Sequence, residues 1–150
     1  MNTLGNMWTD SQKALVENRL VQMSDPAPVL FSDGNTAVGT ASRILICTVP
    51  AKSIIIGAYV LKLIDFNAQT NDYLTIGTYD DDDVLVNDLD VSTAAATIPV
   101  VVDSTTFPYY VSADTPIYAT YIYSGTAPTT GSLQVALLWV PWNVRERVAK

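Results

Sequence analysis

The chain contains no histidine and only one cysteine among 150 residues. Imidazole acid–base catalysis, histidine metal ligation, Cys/His dyads and an internal disulfide are therefore excluded. Charge is scarce too: charged residues make up 15% of the chain, and 8 Lys+Arg face 15 Asp+Glu for a formal net charge of −7. An acidic chain with a pI near 4.2 repels phosphate backbones and anionic headgroups, so neither nucleic acid nor a membrane is expected as a partner. Long hydrophobic runs are also missing. The most apolar stretch, Ile44 to Leu61, is interrupted by Pro50, Lys52 and Ser53, which a bilayer-spanning helix does not carry at its centre. Met1 to Asp10 lacks a basic start followed by an apolar stretch, so no secretory signal peptide is expected.

What is present is apolar. Hydrophobic residues reach 49%, mean hydropathy is +0.22, and the length suits one packed domain. The few cations are segregated. Between Lys62 and Arg145 there is no Lys or Arg, while Asp65, Asp72, Asp80 to Asp83, Asp88, Asp90, Asp103 and Asp114 all fall there. Such a split is ordinarily a solvated face, and it also suits basic ends that dock on acidic surfaces of neighbouring subunits.

From Met7 to Met23 the residues Trp8, Leu15, Val16, Leu20 and Met23 recur at roughly helical spacing, and Thr9 with Gln12 resembles a capping box. A short N-terminal helix or arm over residues 1–26 is expected, ended by Asp25-Pro26-Ala27-Pro28. Everything beyond reads as strand: Val29 to Phe31, Ser42 to Val49, Ile54 to Phe66, Tyr73 to Tyr79, Val84 to Val86, Ile98 to Val102, Tyr109 to Val111, Thr115 to Tyr123 and Ser132 to Trp142. Short strands at even spacing predict an all-β fold, an antiparallel β-sandwich of jelly-roll type over residues 27–142, with a C-terminal tail at 143–150.

Within the strands neither face is plainly polar. Leu133, Val135, Leu137 and Trp139 line one face of the last strand, yet the other holds Ala136, Leu138, Val140 and Trp142. Tyr118, Ile122, Leu138 and Val140 are expected to form one outer face too apolar to stay wet on a monomer, so a homo-oligomer, a trimer, is expected. The segments Met1 to Met23 and Asn143 to Lys150 hold five of the eight cations, Lys13, Arg19, Arg145, Arg147 and Lys150. With Trp8, Leu15, Leu20 and Trp142 they are expected to be contact elements.

Chemistry has few candidates, and no catalytic residue, metal ligand or cofactor is assigned. The run Asp80-Asp81-Asp82-Asp83 offers oxygen ligands to Ca²⁺, but it has no EF-hand register and a like-charged run normally stays solvated. Adjacent carboxylates in a loop do not span a cleft as a glycosidase pair must. Cys47, within a β-branched run, reads as a small buried hydrophobe. Trp8, Trp139 and Trp142 read as a sugar platform or, more simply, as core and interface anchors.

Two stretches carry a resemblance. Ile76-Gly77-Thr78-Tyr79 runs into the acidic quartet and on to Val91-Ser92-Thr93-Ala94, and Asp114-Thr115-Pro116-Ile117 leads through Gly125-Thr126-Ala127-Pro128-Thr129-Thr130-Gly131 into Leu133-Gln134-Val135-Ala136. Over roughly residues 54–142 the chain resembles small β-sandwich virion proteins of tailed bacteriophages. The resemblance implies a head decoration or cement protein on the capsid surface, with the major capsid protein as its partner and no enzymatic activity. The alternative is a tail or head-fibre module that binds host surface polysaccharide.

Overall fold

The computed structural model describes residues 21–92 and 106–142, with the backbone of 100–102 between them. Ten strands follow in order: β1 (Gln22–Met23), β2 (Ala27–Leu30), β3 (Arg43–Val49), β4 (Ser53–Ile64), β5 (Asn71–Gly77), β6 (Val86–Asp90), β7 (Val100–Val102), β8 (Tyr109–Val111), β9 (Thr115–Ser124) and β10 (Ser132–Pro141). They form two sheets. In the first, β10 and β4 lie side by side, β1 and β2 share the free edge of β10, and β7 and β8 share that of β4; in the second the order is β3-β9-β5-β6. Every ladder between these strands is antiparallel.

The pairing is nested. β1 and β2 pair with β10, β3 with β9, β4 with β7 and β8, and β5 with β6, so the first strands meet the last and the middle ones meet each other. Two antiparallel sheets paired in this way make the all-β sandwich expected from the sequence.

Period-two burial explains the core. Ile117, Ala119 and Tyr121 of β9, Leu133, Val135 and Leu137 of β10, and Leu74 and Ile76 of β5 are all fully buried in one cluster between the sheets. In β4 the alternation changes phase, because a bulge lies where Trp139 pairs with Ile55 and Leu138 with Gly57. Ile56 has no partner there, so Ile55 before the bulge and Ala58 and Val60 after it all face inward. Lys62 continues that inward series and is only 5% exposed. Its ammonium sits 2.5 Å from Asp65 Oδ1 and donates to the Ser92 carbonyl at 2.7 Å, so the charge is paired where it is desolvated. One end of the core is aromatic: the Phe66 and Tyr121 rings lie 4.5 Å apart, and the Tyr121 hydroxyl donates to the buried carboxylate of Asp72. That carboxylate also accepts the Ala68 N–H at 3.1 Å.

The structure corrects three expectations. Gln22–Met23 is extended and paired with Trp139 and Leu138, so helical spacing does not carry through Met23. Only residues 21–23 of that segment are described, and the reading of Met7 to Leu20 lies outside the described residues. The strand expected at Val84 to Val86 instead begins at Val86 and runs to Asp90. Hydrogen bonds from Thr78 N–H to the Asp81 carbonyl and from Leu85 N–H to the Ile76 carbonyl hold 78–85 as a turn, which delays pairing. Finally, Pro28 stands inside β2 rather than before a strand. It is tolerated because β2 is an edge, where a missing N–H costs no ladder bond.

Two buried hydroxyls, Ser53 Oγ and Thr120 Oγ1, have no hydrogen-bond partner among the described residues. Thr120→Val replaces an unsatisfied hydroxyl by a methyl, and is expected to raise the unfolding free energy by about 1 kcal/mol in urea titration. A loss of stability would show that Thr120 makes a bond to water or to another segment.

Candidate interaction surface

The two outer faces of the sandwich differ in chemistry. All strands of the first sheet together contain one charged residue, Lys62, and it points into the core. By register, Met23, Leu138 and Gly57 form one outward row, and below it lie Tyr59 with Ala136 and Leu61 with Gln134. Large apolar side chains stand in water around them: Met23 is 58% exposed, Leu63 55%, Ile64 56% and Tyr110 53%. Met23, Pro26, Tyr59, Leu61, Gln134 and Ala136 enclose a groove of about 260 Å³ on this face. A sheet face with such exposure and no charge has the composition of an interface core.

The second sheet carries Arg43, Asp72, Asp88 and Asp90 in its strands. Over its outer side folds the acidic turn. Gly77 permits this, because a β-carbon there would overlap the backbone of Asp81 and Asp82. The Asp82 carboxylate accepts the Thr75 hydroxyl at 3.3 Å, and Arg43 donates to the Tyr79 carbonyl at 2.6 Å with its guanidinium carbon 4.4 Å from the centre of the Tyr79 ring. That ring meets Tyr118 edge-on at 6.3 Å. A hydrogen bond to Asp81, followed by desolvation and the Asp81 charge, holds the Asp83 carboxyl above its usual range. The quartet is therefore fastened at Asp82 and Tyr79 rather than free. Among the described residues no group of three or more His, Cys, Asp or Glu side chains is placed to hold a metal ion.

The sequence-derived interface residues separate. Leu138 and Val140 face outward from the first sheet, whereas Tyr118 and Ile122 face outward from the second, on the opposite side of the sandwich. The four do not make one face, because alternation tells which side of a strand is apolar and not which sheet the strand joins. Trp142 is exposed and Trp139 packs against the core, so these two do not form a sugar platform. Trp8, Leu15 and Leu20 lie outside the described residues. The groove residues Tyr59 and Leu61 were not singled out from the sequence, although the unbroken apolar run of β4 was their signal.

Cys47 is half-buried in β3. Burial pushes its thiol above the ordinary 9.0, opposed in part by a hydrogen bond from Ser24. At pH 8 little thiolate forms, so iodoacetamide is expected to label the folded chain roughly tenfold more slowly than the chain in urea. Equal rates would mean that the thiol is open and unshifted.

These features define an all-β sandwich that presents a broad surface without charge on the strands of its first sheet. No family model and no curated protein matches the sequence. Among solved structures, the fold is similar to a chain of the cyanophage Pam1 capsid asymmetric unit, with a TM-score of 0.60 and 20% identity over 81% of this chain and 85% of that one.

Proposed function

We propose that this protein is a structural component of a bacteriophage virion, a decoration or cement protein on the capsid surface. In this reading it is a homotrimer that contacts the major capsid protein. The observation that carries the reading is the first sheet, whose only strand charge is buried, on a fold similar to a chain from a phage capsid unit. A surface of that kind does its work by being covered. Its mechanism is mass action: a protein that binds the assembled lattice and not free subunits stabilises the lattice by RT ln(1 + [L]/Kd), about 2.7 kcal/mol at a hundredfold excess over Kd.

The test is cosedimentation of the purified protein with undecorated capsids, beside light scattering of the protein alone. Saturable binding, slower thermal disruption of the decorated shell and a mass of three 16.3 kDa chains are the expected results. Retention on host polysaccharide without capsid binding would move the protein to a tail or head fibre, and substrate turnover would make it an enzyme.

A further inference from the structure

We infer that the groove on the first sheet is the seat of residues 1–20 of a neighbouring copy, so that copies are joined by exchanged N-terminal arms. The occupant must be largely apolar where it touches, since the strands of the face offer no outward charge and the groove is walled by Met23, Pro26, Tyr59, Leu61 and Ala136, with Gln134 as its one polar wall and exposed Asp25 at its rim. The twenty residues before Val21 supply Trp8, Leu15, Val16 and Leu20, each with enough apolar area to gain from burial at about 25 cal/mol/Å².

Direction selects the neighbour over the chain's own groove. Gln22 pairs with Trp139, toward the Pro141 end of β10, while the groove lies at Gln134 and Ala136, further toward its Ser132 end. A preceding segment reaches its own groove only by reversing just before Gln22. Between Met7 and Met23 there is no glycine or proline, and the turn formers present are Asn18 and, further back, Ser11 and Asp10. The area is adequate as well. A face about four strands wide at ~4.8 Å spacing and ten residues long at ~3.3 Å rise covers on the order of 600 Å², close to the ~800 Å² that each partner commits to a standard interface.

The inference concerns self-association and does not depend on capsid binding, which is measured separately. Two full-length variants test it in solution without capsids. Leu15→Asp with Leu20→Asp spoils the arm and keeps the groove; Tyr59→Asp with Leu61→Asp spoils the groove and keeps the arm. Each alone is expected to lose self-association at least tenfold by analytical ultracentrifugation, with an unchanged strand spectrum. Mixed, the two are expected to recover a 1:1 pair, because one intact arm then meets one intact groove. A monomeric wild type, an arm variant that still associates, or a mixture that stays monomeric would each overturn the proposal. Should the groove variant unfold, Leu61→Asn alone takes its place, with the same readings.

Discussion

Tyr121→Ala is expected to lower the unfolding free energy by about 4 kcal/mol, the range for removing a large aromatic from a packed core. Tyr121 is fully buried, its ring touches Phe66, and a β-carbon on Gly34 would overlap it, so neighbours have closed around the ring on several sides. Tyr121→Phe separates ring from hydroxyl. It leaves the Asp72 carboxylate buried with the Ala68 N–H as its remaining described partner, a loss of about 1 to 3 kcal/mol. Urea titration at pH 7 measures both, and a Phe variant as stable as wild type would show that the hydroxyl adds nothing. The pH dependence has a definite sign. Burial, then the bond to Asp72 and its charge, push the Tyr121 hydroxyl well above its ordinary 10.0. Above pH 10 the unfolded chain loses this proton while the folded chain keeps it, so stability falls as pH rises, by up to about 1.4 kcal/mol per unit. Tyr121→Phe lacks that slope, and the gap between the two proteins is expected to narrow above pH 10.

Gly131→Ala is expected to cost about 3 kcal/mol, through two effects that add. Gly131 has φ of +144°, a region that side chains avoid, and a β-carbon there would overlap the Phe66 ring, which is itself fully buried. The same position accepts the Phe31 N–H on its carbonyl, so the chain cannot shift without loosening the start of β10. Thermal unfolding followed by circular dichroism tests this. A change in Tm of only a degree or two would mean that Phe66 can move aside.

Strand existence was legible wherever apolar residues ran between turn residues, and β3, β4, β9 and β10 stand close to where the pattern puts them. Boundaries failed where local hydrogen bonding competes with pairing. Thr78 and Asp81 hold the turn that moves β6 onto Asp88 and Asp90, acidic residues with low strand propensity. β1 was hidden because a two-residue strand has no period of its own; Gln22 and Met23 are extended through their partners on β10. The surface was legible in part. The apolar outward residues of β9 and β10 were visible, but assigning them to opposite sides of the molecule needs the pairing, which links residues far apart in the chain. Tyr79 on Arg43 is a contact of the same long-range kind.

The nested pairing also orders the making of the molecule in time. Tyr73 meets Asp90 within one hairpin, Ile55 waits for Tyr109, Val49 for Thr115, and Val29 for Leu133. Each outer pair closes a longer loop than the one inside it, and contacts so distant in sequence make for slow folding. On the ribosome the inner hairpin can form early, but the two halves of the first sheet cannot join until β10, the last described strand, has emerged. Until then β4 exposes the backbone edge that β10 will pair, so a nascent chain is at its stickiest just before β10 emerges.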